Sequence, residues 1–580
     1  MYEFRYIKEH QRAKKEIALY EEVKKMSIRQ LIKYLCPFLL IIVIVLLTVP
    51  GINKGEFWWS DESRHAMDGV FIMDLLTDSP PLTDLYRYTE IYFAKYPALA
   101  LTWYPPFFAF VESLFFRVFG ISEMVARLTV IFFTLLAVIF LYIFIKKASN
   151  EIVAFLSCLL FITTPVVILW ARSVMLELPI MALIILSCYF FYNYFFLNKP
   201  RHIYYLTLAI TLALYTKQTA AFIIPVFFSW ILFQKQFKKL FDKQMLICII
   251  LFALMILPLV IFNLKFGTVG FDAILKDAHT IGGQVPKMFF EHWIITFNIF
   301  VHTFILPIRI LIVLSIGVFI FDIIKNKKLD NMMLFLFLWV FWWYIAFSYV
   351  VNLNGDFERC CIYVIPAIAA LVIWPIIIYK DKMVCRIMIM LILIISAYQG
   401  FLSYNQIRQY TSGYKQAARY VMDNYDGKTI LFGGYFDGNF IFNVRKYDKD
   451  RKAIVLRDSK VLANWSVYPE WGYTSYINSE RDIYEILNKY GTKYIVVEDK
   501  EIFNKIPFRI LRDVLKKGDF TLEKTIKVRW ADCDKKKISI LIYKYKKEPM
   551  NLSDNLIIDF PLLKRKINVP LKSLSTKGLK

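Results

Sequence analysis

The chain has 580 residues, 58% of them hydrophobic and 17% aromatic, with a mean hydropathy of +0.48 and a formal net charge of +24. That balance excludes an ordinary soluble globular protein, which is nearer half apolar. The positive charge sits in short clusters between apolar blocks and in a polar tail, without zinc-finger, homeodomain or RNA-recognition spacing, so a nucleic-acid partner is excluded as well.

The first 33 residues are charged (KEHQRAKKEIALYEEVKK) and precede an apolar run without a small-residue cleavage site, which predicts a retained anchor rather than a signal peptide. Apolar blocks follow at 34–50, 123–146, 152–170, 178–197, 202–216, 219–234, 244–264, 293–321, 332–351, 360–379 and 384–402. Most are close to the roughly 20 residues that cross a hydrocarbon core. One further stretch, PPFFAFVESLFFRVFG at 105–120, is short and carries Glu112 and Arg117. It is read as an interfacial helix.

Omitting that stretch places the N-terminal segment, Lys146-Lys147, Lys199 with Arg201, the 235–243 loop, the 325–328 loop and 379–386 on one face. All compact basic loops then lie on the cytoplasmic side. The predicted architecture is an α-helical polytopic membrane domain over 34–402, with eleven spans and a long outer loop at 51–122. An extracytoplasmic tail occupies 403–580.

The tail changes character. Strand-length runs at 429–435, 452–457, 493–499 and 538–545 alternate in part with helix-like segments at 413–425 and 480–490, which predicts a compact α/β domain. It carries no GxGxxG, phosphate-loop or GxSxG pattern and is read as an accessory domain that helps bind the acceptor. Its last thirty or so residues are basic and weakly patterned, a composition suited to partial disorder. The eight cysteines, at 36, 158, 188, 248, 360, 361, 385 and 533, lack CxxC spacing and predict neither a disulfide framework nor a zinc site.

The outer face gathers the 51–122 loop, RSVMLELP (172–179), YTKQTA (215–220), the 265–292 loop and NGDFERCC (354–361). Each carries ionisable groups at a membrane boundary, where charge is costly and invites a functional reading. In chain order the stretches are SDESRHAMDG, TWYPPFFAFVESLFFRVFGISEMVARL, TTPVVILWARSVMLELP, LYTKQTAAFIIP and FERCCIYVIPAIAAL. This ordered set, covering roughly 34–400, resembles the C-type glycosyltransferase superfamily. Within it the chain is similar to the protein O-mannosyltransferase and lipid A aminoarabinose transferase branch.

The resemblance implies an inverting transferase. It would take a sugar from a polyprenyl-phosphate carrier and pass it to a hydroxyl of an extracytoplasmic glycan, lipid or protein. It also implies roles. Asp61 falls on the family's acidic position and is the candidate base, with Glu62 beside it. Adjacent helical residues diverge by about 100°, so one carboxylate can act while the other is structural. The competing reading makes Ser60 and Asp61 simple helix caps.

His65 lies four residues on, on the same helical face, as a candidate to tune the base or touch the sugar or phosphate. Glu177 stands where the family often has Asp. It is a candidate contact to acceptor, sugar or metal, or else merely the partner of Arg172. Lys217 and Arg359 match cationic family positions and are candidates for the lipid phosphate, against simple snorkelling to headgroups. Tyr104 stands where aminoarabinose transferases carry a lysine, which weakens that exact specificity.

Arg172 and His279 complete the candidate substrate contacts, His279 on a 265–292 loop read as a lid. Asp272, Asp277 and His279 are spaced too irregularly to assign a metal site. The branch contains both metal-dependent and metal-independent members, so a divalent ion stays open. Trp58, Trp59, Trp103 and Trp293 are read as interfacial belt residues. The rival readings are a transporter or flippase of lipid-linked sugars and a non-catalytic scaffold. The first would show pseudo-repeats with broken helices in corresponding halves.

Overall fold

The computed structural model describes residues 32–266, 289–326, 330–351, 357–378, 382–465, 473–500, 505–530, 538–548, 553–560, 565–571 and 574. The basic N-terminal segment, His279 with Asp272 and Asp277, and Cys533 lie outside them.

Six described helices are long and apolar enough to cross a membrane: Glu123–Ala148, Glu177–Phe196, Lys243–Lys265, Leu306–Lys325, Asn331–Tyr349 and Lys382–Asn405. A bent pair, Glu151–Thr163 with Pro165–Ala171, makes a seventh segment if taken as one. Four shorter apolar helices, Ile32–Thr48, His202–Leu214, Gln218–Phe233 and Ile365–Ile378, fall on the remaining apolar blocks.

Two expected spans are not single rods. The block 152–170 divides into Glu151–Thr163 and Pro165–Ala171 with a 68° bend. Pro165 has no N–H to continue the ladder, and it drives Thr164 into an extended conformation (φ −63°, ψ 125°). The block 293–321 divides into Phe289–Thr303 and Leu306–Asn326. There Pro307 sits in the first turn of the second helix, where its missing N–H costs nothing.

The loop at 51–122 is largely helical. We label Ile32–Thr48 α1, Ser60–Asp78 α2, Leu85–Lys95 α3 and Phe107–Phe119 α4. At 1.5 Å per residue, α4 reaches only about 20 Å. It buries Phe108, Glu112, Ser113 and Phe116 and exposes Phe110, Leu114, Val118 and Phe119, as a helix lying flat at an interface would.

The tail forms a six-stranded sheet in the order β1-β7-β8-β6-β2-β3, using Thr411–Ser412 (β1), Thr429–Gly433 (β2), Val455–Arg457 (β3), Thr492–Glu498 (β6), Phe520–Trp530 (β7) and Ile538–Tyr545 (β8). β2 pairs in parallel with β3 and β6, and the other ladders are antiparallel. The hairpin strands Ala463–Trp465 and Tyr473–Ser475 (β4 and β5) stand apart from it. So do Asn555–Phe560 and Arg565–Pro570 (β9 and β10). This last pair corrects the reading of a weakly patterned end: Leu556, Ile558 and Val569 alternate into a buried face.

The chain order β2, β3, β6 puts a switch point between β2 and β6, the usual place for a ligand crevice in α/β sheets. Here the crevice is filled from within. The Glu498 carboxylate, at the end of β6, accepts the Tyr435 and Phe436 amides at 3.0 and 3.4 Å and the Tyr414 hydroxyl at 2.8 Å. A Cβ on Gly434 would lie 2.5 Å from Glu498 Oε1, so only glycine lets the loop close over it.

The tail and first loop form one interface. Arg445 clamps Asp74 with two bonds of 2.6 and 2.8 Å, and Arg451 clamps Asp78 at 2.5 and 2.7 Å. Asn439 accepts the Phe57 amide at 3.2 Å and donates to its carbonyl at 2.8 Å. Asn439 is buried, so Asn439→Ala leaves both backbone groups unpaired. The expected cost is about 1–3 kcal/mol of stability, read as a lowered thermal midpoint in detergent.

Candidate functional site

Asp61 sits in the first turn of α2, where a carboxylate is favoured by the helix dipole. Its side chain is one-third exposed. Glu62, next to it, turns away and is buried. One of its oxygens accepts the Trp58 and Trp59 amides, each at 3.1 Å, and the other accepts the Val174 amide at 2.7 Å. Glu62 thus caps α2 and pins the 172–176 loop to it. The structure does not bring Glu62 into the charged cluster.

That cluster joins four segments distant in sequence. Glu177 opens the helix Glu177–Phe191 and is fully buried. Its Oε1 takes Lys217 Nζ at 2.8 Å and Arg359 Nε at 3.8 Å. Arg359, in the 3₁₀ segment Phe357–Tyr363, also lies 3.9 Å from Asp61 Oδ2. Tyr104 donates its hydroxyl to Asp61 Oδ2 at 3.3 Å, and Lys217 lies 6.0 Å from the Tyr104 ring centroid. Two carboxylates, two cations and a phenol therefore share one site. Burial opposes charge on Arg359, but Glu177, Cys360, Tyr104 and Asp61 outweigh it and raise its pKa above the ordinary arginine value. Burial, then Asp61, pushes the Tyr104 phenol well up, so it remains a donor.

His65 packs edge-on against Tyr104 with ring centroids 4.6 Å apart. Burial is the main cause that brings its pKa down to about 4, against the pull of Asp61 and Glu177. His65 is then neutral at physiological pH. Between about 6.5, the unfolded histidine value, and about 4, the unfolded chain binds the proton first. The stability His65 contributes is thus complete above that window and is lost as pH falls through it. A His65→Gln variant is expected to flatten this part of the curve of unfolding midpoint against pH.

Arg172 does not pair with Glu177. It donates to the Leu47 and Gln406 carbonyls at 2.7 and 2.9 Å, tying the end of α1 to the end of the helix Lys382–Asn405. His279 lies outside the described residues.

Sequence reasoning missed the aromatic floor. Trp170, in the last turn before the 172–176 loop, lies under Arg359 at 5.8 Å and against Trp59 at 5.3 Å. Trp59 thus belongs to the site rather than to a lipid belt, while Trp58 packs on Trp530 of the tail at 5.3 Å. The Trp59 and Trp170 indole nitrogens and Glu177 Oε2 are buried without a hydrogen-bond partner among the described residues. Orphaned buried polar atoms around one site mark places for a ligand or water. The signal for Trp170 was the Thr-Pro break, which swings its short helix toward the cluster. No group of three or more His, Cys, Asp or Glu able to hold a metal occurs among the described residues.

Residues 104–262, which include Tyr104, Glu177 and Lys217, match the family model described as dolichyl-phosphate-mannose-protein mannosyltransferase. No curated protein matches the chain. Among solved structures it is similar to ArnT from Cupriavidus metallidurans bound to undecaprenyl phosphate. The TM-score is 0.57 at 12% identity, covering 87% of this chain and 97% of that one. It is also similar to an oligosaccharyltransferase of Archaeoglobus fulgidus in complex with Zn and sulfate. There the TM-score is 0.52 at 15% identity, covering 80% of this chain and 68% of that one. The chain has the C-type glycosyltransferase fold: a helical membrane domain followed by a sheet domain.

Proposed function

We propose that this chain transfers a sugar from a polyprenyl-phosphate carrier to a hydroxyl of an extracytoplasmic glycan, lipid or protein, with inversion at the anomeric carbon. The observation that carries this reading is the cluster in which Arg359 lies within ion-pair distance of both Asp61 and Glu177 while Lys217 holds Glu177.

In this reading the acceptor oxygen attacks the anomeric carbon. The bond from that carbon to the phosphate oxygen breaks, and its electron pair stays on the phosphate. The acceptor proton passes to Asp61, the exposed carboxylate. Lys217 and Arg359 meet the charge growing on the leaving phosphate, the arginine with its planar fork and the lysine as a point charge. Glu177 keeps both cations in place. The Trp59 and Trp170 indole N–H groups are donors for the sugar hydroxyls.

The donor set does not suit a divalent ion, because Glu177 already carries Lys217 at 2.8 Å with Arg359 close by. A further positive charge there meets repulsion. Removing divalent ions with a chelator is accordingly expected to leave the transfer rate unchanged. The rival reading, a transporter or flippase of lipid-linked sugars, gains no support from the comparisons.

The test supplies purified protein in nanodiscs with a panel of polyprenyl-phosphate sugars and follows free polyprenyl phosphate. Release with one donor, stimulated by an acceptor extract, is expected. Silence with every donor and every extract would return the question to the flippase.

A further inference from the structure

Three arginines are buried where the start of the tail meets the end of α1 and the 172–176 loop. Arg127, Arg172 and Arg408 are 1, 5 and 9% exposed. Arg127, in the helix Glu123–Ala148, donates to the Ile52, Lys54, Gly55 and Glu56 carbonyls at 2.8, 3.1, 3.3 and 3.1 Å. Arg172 gives its N–H groups to the Leu47 and Gln406 carbonyls. Arg408, three residues past the helix Lys382–Asn405, donates Nη2 to the Arg172 carbonyl. The Glu56 amide donates to the Thr411 carbonyl at 2.6 Å, which brings the loop held by Arg127 to the segment that carries Arg408.

The charge of this group is not matched. Among the described residues, none of the three arginines comes within ion-pair distance of a carboxylate. Glu62 is the carboxylate within electrostatic reach of both Arg127 and Arg408. Arg127 also faces Glu123 and Glu56. Glu123 lies 3.7 Å from Lys446, so its charge is shared. Burial is the main cause that raises the Glu56 carboxyl to about 8, which leaves it largely neutral at pH 7.

Arg408 bears the deficit. Its Nε and Nη1 are buried without a hydrogen-bond partner among the described residues, and so is Arg127 Nε. Burial, then the charge of Arg127, lowers the Arg408 guanidinium to about 9, with Glu62 opposing and Arg172 adding to the fall. A buried cation without a counter-ion is costly. Water would satisfy the N–H groups and leave the charge, whereas an anion answers both. The Born cost of dehydrating an ion grows with the square of its charge, so a site this closed favours a monovalent anion over sulfate or phosphate.

We propose that Arg408, with Arg127 and Arg172 around it, binds a small monovalent anion of chloride size at the junction of the tail with the 172–176 loop. The ion neutralises the junction and ties the start of the tail to the loop between Trp170 and Glu177. The site does not rest on the transferase reading, and its failure would leave that reading standing.

The test follows the thermal midpoint of purified protein in a maltoside detergent as sodium chloride replaces sodium gluconate at constant ionic strength. An ion bound to the folded chain raises the midpoint with the logarithm of its concentration, here by about 1–2 °C per tenfold chloride above its dissociation constant. Bromide is expected to substitute for chloride. Arg408→Met, checked by gel filtration, is expected to lose this dependence.

A flat wild-type midpoint would overturn the proposal. An equal rise in wild type and Arg408→Met would overturn it too, because a general salt effect acts on both alike. Where Arg408→Met fails to fold, anomalous scattering from wild-type crystals grown in sodium bromide decides. A bromide peak beside Arg408 Nε or Nη1 is expected, and bromide found only elsewhere, or nowhere, would overturn the site.

Discussion

Asp61→Asn is expected to lower the transfer rate by about 10²–10⁴-fold, the usual worth of a positioned general base. Donor binding should survive. Asparagine keeps the shape and can still accept the Tyr104 hydroxyl, which lies 3.3 Å from Asp61 Oδ2. Arg359 retains Glu177 as a carboxylate neighbour. The side chain is one-third exposed, so no buried charge is stranded and the fold should hold. Single-turnover rates with protein in excess over donor measure the effect, alongside donor affinity from equilibrium binding. A loss of less than about tenfold would move the base elsewhere. Glu62 is a poor heir, because its carboxylate is spent on the Trp58, Trp59 and Val174 amides.

Lys217→Met is expected to do two separable things. Glu177 is fully buried and loses its 2.8 Å partner, keeping Arg359 at 3.8 Å. Breaking a buried pair from one side typically costs about 3–5 kcal/mol, most of it from the stranded charge. The thermal midpoint in detergent should fall accordingly. The second effect is weaker binding of the donor phosphate. Lys217→Met/Glu177→Gln tells the two apart: removing the carboxylate should restore much of the stability and none of the donor affinity. If the double variant binds donor as the wild type does, Lys217 is a structural partner of Glu177 and not a phosphate ligand.

What the sequence revealed followed the strength of its local patterns. Apolar blocks of spanning length mark helices directly, and each strand-length run expected in the tail contains a strand: β2, β3, β6 and β8. β7 was missed because FTLEKTIKVRW is polar. It buries Phe520, Ile526 and Val528 and exposes much of the rest. The helix Asp437–Tyr447 was missed because it is buried nearly all round and shows little amphipathic period.

The charged cluster was legible in part. Asp61, Glu177, Lys217, Arg359 and Tyr104 do meet, although nothing local says that Asp61 and Arg359, nearly three hundred residues apart, come within ion-pair distance. Arg172 misled because a cation near an acid in sequence suggests a pair, yet its geometry serves backbone carbonyls of two other helices. Glu62 was ambiguous for the same reason. Only the three-dimensional course of the 172–176 loop shows that its oxygens meet amides rather than substrate.

The Glu498 carboxylate seated in the crevice between β2 and β6 has a consequence for what the tail's sheet can bind. Its oxygen already occupies the backbone amides of the loop after β2, where a mononucleotide phosphate would otherwise sit in such a sheet. The cradle is self-liganded and buried, so soluble nucleotides have no purchase there.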